Sequence, residues 1–345
     1  MLDATRGKAP NLNHLGALCH HLGVVQFAQG DTRDLSSGFC VDDNARALIV
    51  AVDVLAIDPR NAEAHRIGEA ALALLERTQV PDGFHNLLDQ AGAFIVEGGR
   101  SQDATGRAIW ALGVTASRGT LAPWRERAEK LLARQWSTAR QLTASRARAY
   151  AMLGAALMAA RSQEARRTLE VLGRLLLAEF EAAATDDWPW WEPTLVWGNG
   201  RLPEAMLRAA TALDDKAFGA CGIRALEFLG EVTHERNVFV PIGNDGWYPR
   251  GGTRARHDQQ PIEACAMVDA WLAAEEYTGD ARYHARALEA FAWFVGANTE
   301  RLVVADPQTG GCHDGIGVGR RNRNMGAEST LSYLAAHTAI ARASH

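Results

Sequence analysis

Apolar residues recur three and four positions apart in twelve stretches of the chain, the spacing that lines one face of a helix. The stretches run over 11–29, 42–56, 62–78, 103–116, 122–138, 145–160, 163–183, 201–213, 215–234, 261–278, 281–297 and 326–342. Polar and turn-forming residues fill the gaps, and the gap lengths alternate. After even-numbered helices the gaps are tiny: 57–61, 117–121, 161–162, 214 and 279–280. Most gaps before them are long, at 30–41, 79–102, 184–200, 235–260 and 298–325, with 139–144 the short exception. Short connections make antiparallel neighbours, whereas long ones carry binding and catalysis on a rigid frame. The pattern predicts an all-α closed ring of six helical hairpins with the long loops on one face. Val238–Val240 and Leu302–Val304 read as short strands within those loops.

The even-numbered helices open on similar phrases: VDDNARALIVA from Val41, SQDATGRAIWALG from Ser101, ASRARAYAMLG from Ala144, GNGRLPEAMLRAA from Gly198, QQPIEACAMVDAW from Gln259 and NMGAESTLSYLAAH from Asn324. Each has a polar group in its first turn, then small residues, then an apolar run. Small residues let helices crowd into an inner ring. The markers are Asp43, Asp103, Arg146, Glu204, Glu263 and Glu328. An acid at a helix start gains about 0.3–1 kcal/mol from the helix dipole, and any one of them is as well explained as a cap. Five acids facing one mouth are a stronger signal.

At 345 residues and 47% hydrophobic, the chain can bury a large core. No Pro/Gly/Ser-rich linker divides it, so a single domain over 1–345 is expected, with roughly the first ten residues disordered. The net charge of -5 and pI near 6.1 argue against nucleic acid. There is no basic amphipathic helix and no apolar run near 18–20 residues, so no membrane contact is expected. The start, MLDATRGKAP, is too polar for a cleavable signal. Five widely spaced cysteines without CxxC indicate reduced thiols and a cytoplasmic location. Neither paired cysteines nor HExxH occurs, so no metal is expected, and no cofactor either. GCHDGIGVGRRNRNMG has GxGxG spacing with no strand before it, which excludes a dinucleotide loop. Arg320, Arg321 and Arg323 could hold an anion at the helix opening near 326, or form a solvated basic turn.

The long loops carry aromatic rings among amides, acids and histidines, in DDWPWWEPTLVWGNGRLPEA, NDGWYPRGGTRARHDQQPIEA and DGFHNLLDQAGAFIVEGGRSQDATGR. Apolar faces beside dense hydrogen-bonding groups suit a sugar ring, although such tryptophans equally plug a barrel end. Trp190, Trp191 and Trp247 are candidate sugar contacts. Glycoside cleavage needs one carboxyl group to protonate the leaving oxygen. A second activates water at roughly 6.5–9.5 Å separation or attacks directly at roughly 5–5.5 Å. Glu192, between Trp191 and Pro193, is the first candidate acid, because apolar surroundings raise a carboxyl pKa. Asp43 or Asp103 is the candidate base. Of Asp42 and Asp43, one should point inward while the other caps or pairs with an arginine. Gln260, Glu263, Asp314 and Glu328 complete the polar set. His85, His257 and His313, beside Asn86, Asp258 and Asp314, offer rival proton-shuttle chemistry. His20 and His21 fall in a helical stretch and read as structural.

These hairpins and loops resemble the six-hairpin glycosidase superfamily, the (α/α)6 barrels. More narrowly, GFCVDDNARALIVA, DGFHNLLD, SQDATGRAIWALG, WPWWEPTLVWGNGRLPEAML, QQPIEA and NRNMGAESTLSYLAAH are similar to an all-α module of bacterial glycosyltransferase-associated proteins. The superfamily implies inverting hydrolases, phosphorylases, unsaturated-uronyl hydrolases or sugar epimerases. The narrower likeness implies a glycosyltransferase encoded nearby as a partner. Phe27 stands where that group leads one to expect histidine. Three functions follow as expectations: a glycoside hydrolase acting on an oligosaccharide, a non-catalytic sugar-binding or scaffold module, and an epimerase using His257 or His313.

Overall fold

The structure is a computed structural model and describes residues 7–235 and 238–343. Its helices are α1 (Asn13–Leu18), α2 (Val41–Ile57), α3 (Ala62–Thr78), α4 (Gln102–Arg118), α5 (Ala122–Ala133), α6 (Trp136–Ala139) and α7 (Ser145–Met158). They continue as α8 (Gln163–Ala183), α9 (Arg201–Leu213), α10 (Lys216–Val232), α11 (Pro261–Thr278), α12 (Arg282–Ala292) and α13 (Ala327–Ala343). The helices α2, α4, α7, α9, α11 and α13 form an inner ring in which each packs on the next and α13 closes on α2. Outside, α3, α5, α8, α10 and α12 pack on α2, α4, α7, α9 and α11. This is the expected all-α (α/α)6 barrel.

Burial explains which helices face which way. The inner helix α11 is buried at nearly every position from Pro261 to Ala274, and α2 likewise from Val41 to Leu55. The outer helix α8 buries only Ala165, Thr168, Leu169, Leu172, Gly173, Leu176 and Phe180, the stripe of an amphipathic surface helix. Side chains of Cys40, Asn61, Ser101, Ser162 and Asp215 accept from first-turn amides and fix where α2, α3, α4, α8 and α10 begin.

The first expected helix, 11–29, is wrong beyond Leu18. Cys19–His20, Gly23–Gln29, Thr32–Cys40 and Leu87–Leu88 form a four-stranded sheet. GVVQFAQ has β-branched and aromatic residues suited to a pleated surface. Gly23 and Gly30 take φ of +134° and +66°, conformations that break a helix. His20 and His21 therefore lie in a strand and a turn, with rings 4.0 Å apart. The expected helix at 122–138 ends at Ala133 before the short turn α6, and that at 281–297 ends at Ala292. Val238–Phe239 is a strand, paired with His234–Glu235, while Leu302–Val304 provides only a bridge from Val303 to Val295. The disorder expected near the start falls mostly outside the described residues; Pro10 is already buried. No described helix is long and apolar enough to cross a membrane.

Ring closure is tightest between α4 and α7. A Cβ added at Gly106 would lie 2.4 Å from the Ala147 carbonyl oxygen, and one at Gly113 would lie 2.6 Å from that of Gly154. A Cβ at Gly154 would lie 2.4 Å from the Ile109 carbonyl oxygen. Backbone cannot swing aside as a side chain can, so Gly113→Ala and Gly154→Ala should each destabilise the fold by about 1–3 kcal/mol. Alanine's better helix propensity offsets at most about 1 kcal/mol of this. Urea unfolding measures the balance, and unchanged midpoints would show that the two helices are not in backbone contact.

Candidate active site

Ring closure brings the first turns of α2, α4, α11 and α13 to one end, where they line a cavity of about 570 Å³. Asp42, Asp43 and Arg46 enter it from α2, Asp103 and Arg107 from α4, Ile262 from α11, and Glu328 and Ser329 from α13. The loops add Trp197, Asn244, Trp247, Gln260 and Asp314, and the strand Gly23–Gln29 adds Gln26 and Phe27. Phe27 is 62% exposed, so a large apolar side chain stands in solvent at the rim.

Asp43 is buried one turn before Arg46, whose guanidinium donates to it at 2.7 Å and to Glu328 at 2.8 Å. The thiol of Cys40 donates to the other Asp43 oxygen at 3.1 Å. Burial pushes the Asp43 carboxyl up to about 6 and the charge of Glu328 adds to this, outweighing the downward pull of Arg46. Arg46 itself is raised, because the pull of Glu328 and Asp43 exceeds its own desolvation cost. Asp103 differs: its carboxylate makes no hydrogen bond or ion pair among the described residues. Burial raises its pKa too, against the nearby charge of Arg107.

Asp42 lies 3.3 Å from Arg107, yet the facing atoms, Oδ1 and Nε, are buried without a hydrogen bond. Asp42 accepts instead from Asn86 at 3.3 Å. Arg107 is stacked 4.1 Å from the Tyr150 ring and 5.6 Å from Trp197, with Arg146 over the same Trp197 ring at 5.1 Å. The guanidinium groups thus hold the aromatic wall as well as the acids. The division expected of Asp42 and Asp43, one inward and the other capping or paired with an arginine, is not seen: both meet an arginine and both reach the cavity.

The structure corrects several sequence expectations. Glu192 does not line the cavity, and its surroundings are not apolar. Arg146 donates to both of its oxygens, at 2.7 and 2.9 Å. Trp190 and Trp191 are 0% and 6% exposed and pack into the core against Phe228 of α10 and Phe180 of α8, with the Trp191 Nε1 donating to the Leu176 carbonyl. Trp197 and Trp247 are the tryptophans of the cavity wall. Glu263 is buried behind that wall, accepting from the amide of Gly198 and from the Asn199 side chain at 3.2 Å. Burial pushes it up to about 7 against those bonds. Glu204 belongs to the opposite end, where it lines a second cavity of about 690 Å³ and shares Arg201 with Asp269.

The three loop histidines stay off the cavity. His85 bonds the Ile95 carbonyl at 2.8 Å and lines a neighbouring groove. His257 is exposed, and His313 is half-buried with a pKa lowered by burial and by Arg321. Asp42, Asp43, Asp103, Trp247, Gln260, Asp314 and Glu328 do come together. The sequence reading missed Arg46 and Arg107 as site residues. Their signal was the acid one turn upstream, Asp43 to Arg46 and Asp103 to Arg107.

No protein-family model matches the chain, and no curated protein sequence does. Solved structures do match its fold. A sugar epimerase from a ruminal bacterium superposes with a TM-score of 0.74 at 12% identity, over 99% of both chains. Cellobiose 2-epimerase from Bacillus thermoamylovorans gives 0.73 at 10% identity, over 97% of this chain and 96% of that one. A GH76 alpha-mannanase from Bacteroides thetaiotaomicron gives 0.62 at 10% identity, over 88% and 86%. The chain shares the (α/α)6 barrel fold of these structures.

Arg46→Gln should leave Asp43 and Glu328 without their shared guanidinium and cost about 3–5 kcal/mol at pH 8. The loss should shrink below pH 6, where Asp43 is protonated and needs no counter-charge. Thermal unfolding across that range checks both parts, and a pH-independent loss would remove Asp43 from the account.

Proposed function

We propose that this protein is a carbohydrate-active enzyme, a glycoside hydrolase that cleaves an oligosaccharide in the mouth cavity. One observation carries the hydrolase reading. The titratable groups lining that cavity are five carboxylates, two guanidiniums and one thiol, with no histidine among the described residues. Carboxylates are the groups glycoside cleavage uses. Epimerisation by a histidine pair would need His85, His257 or His313 at the reacting carbon, and all three lie off the cavity. The sugar enzymes that share the barrel support carbohydrate as the substrate class and leave the reaction open.

Asp43 is the proton donor. Its carboxyl, raised to about 6 by burial, keeps its proton up to about that pH, and Arg46 and Cys40 hold it in place. Asp103, with no hydrogen bond or ion pair among the described residues, is the base. Water attacks the anomeric carbon as Asp103 takes one of its protons. The glycosidic carbon–oxygen bond breaks, and the leaving oxygen receives the Asp43 proton. Trp197 and Trp247 offer apolar faces to sugar rings, and Gln260, Asp42 and Asp314 offer hydrogen bonds to hydroxyls.

Asp43→Asn and Asp103→Asn should each lower kcat by at least about a hundredfold on any oligosaccharide the wild type cleaves. Unchanged turnover in both would remove these assignments. Because Asp43 must be protonated to act, kcat/KM should fall as pH rises through about 6. Sugar binding with no turnover of any oligosaccharide would favour the non-catalytic module. Uptake of solvent deuterium into a free monosaccharide would favour the epimerase.

A further inference from the structure

The charge inside the mouth cavity says which sugars it takes. Five carboxylates face it, from Asp42, Asp43, Asp103, Asp314 and Glu328, against only the guanidiniums of Arg46 and Arg107. The two guanidiniums are held differently. Arg46 donates to Asp43 and Glu328 at 2.7 and 2.8 Å. Arg107 forms an ion pair with Asp42 at 3.3 Å, without a hydrogen bond, and lies over the Tyr150 ring. Asp103 and Asp314 have no cation within ion-pair distance among the described residues, so two carboxylates face the ligand without a paired counter-charge, Asp103 only within the longer-range field of Arg107. The exposed arginines Arg320 and Arg321 lie outside the cavity on a strand pair, where Arg321 donates to the Val303 carbonyl at 2.8 Å. A bound anion would have to leave water for a wall of like charge.

We infer that the cavity selects uncharged sugars, excluding uronic acids and sugar phosphates, and that its acceptor is water rather than inorganic phosphate. This rests on the hydrolase reading for the reaction and on the lining alone for the selectivity. A phosphorylase must seat a phosphate anion beside the anomeric carbon, where charge-assisted hydrogen bonds from a cation hold it most strongly. The cavity instead presents Asp103. With water as acceptor, the water oxygen joins the anomeric carbon, the glycosidic bond breaks, and the two protons go to Asp103 and to the oxygen that leaves. Like-charge juxtaposition acts against the wrong partner more than it strengthens the right one, so the effect appears as discrimination.

The test uses the full chain, neutral gluco-, manno- and galacto-configured oligosaccharides, and their counterparts oxidised to the uronate at C6. Binding is read by calorimetry at low and high ionic strength. Products are read by chromatography with and without added phosphate. Neutral members should bind at least roughly tenfold more tightly than their uronates at low salt, since a cleft of one sign shifts local ion concentrations by that order or more. Salt should narrow the ratio, and so should Asp314→Asn, which keeps the acceptor for the Gly326 amide but removes one charge. Added phosphate should yield no sugar 1-phosphate. Uronates binding equally or better, release of sugar 1-phosphate, or binding by neither class would each overturn the inference. Preferential binding of neutral sugars without turnover would sink the hydrolase reading and leave the selectivity standing.

Discussion

A helix in a closed inner ring has neighbours on every side, and that constraint governs where this protein can keep charge. Along α2 and α11 almost no position reaches solvent between the ends. Charged groups within the ring are therefore few and paired, as Asp269 and Glu204 are with Arg201, and the hairpin alternation brings the first turns of α2, α4, α11 and α13 to one end. Asp43, Asp103 and Glu328 come to one mouth for this reason, without any shared stretch of sequence. The backbone contacts at Gly113 and Gly154 show how little slack the ring has.

Charges placed at such ends are half inside the protein, and they survive only with partners. Arg46 answers Asp43 and Glu328 together and so ties α2 to α13 across the ring closure. Arg146 answers Glu192 and anchors the loop that carries Trp197. The groups left over matter for chemistry. Asp103 has no hydrogen bond or ion pair among the described residues, and Asp43 is buried deeply enough to hold a proton near pH 6 despite its arginine. Two carboxyl groups on adjacent ring helices thus stand in different surroundings, the condition under which one can give a proton while the other takes one.

The aromatic residues divide by the same logic of access. Trp190 and Trp191 pack edge to face at 5.2 Å and close the core beneath the loops. Trp197 and Trp247 sit farther along their loops and reach the cavity. Trp247 takes a positive φ of 58°, a strained setting for a bulky residue that the loop holds at the wall.

The sequence by itself determined the ring: helical periodicity, alternating gap lengths and small residues in the even helices follow from local steric and solvation rules. It also marked Asp43, Asp103 and Glu328, because an acid in a first turn leaves a local signature. Other features were invisible to it. The hairpin after Leu18 depends on pairing with Leu87–Leu88, far along the chain. Glu192 looked apolar beside Trp191 and Pro193, yet its environment is Arg146, 46 positions away. Which tryptophans are buried and which cavity Glu204 lines also came only with the fold. Burial and charge pairing are properties of space between distant segments, and no spacing along one chain encodes them.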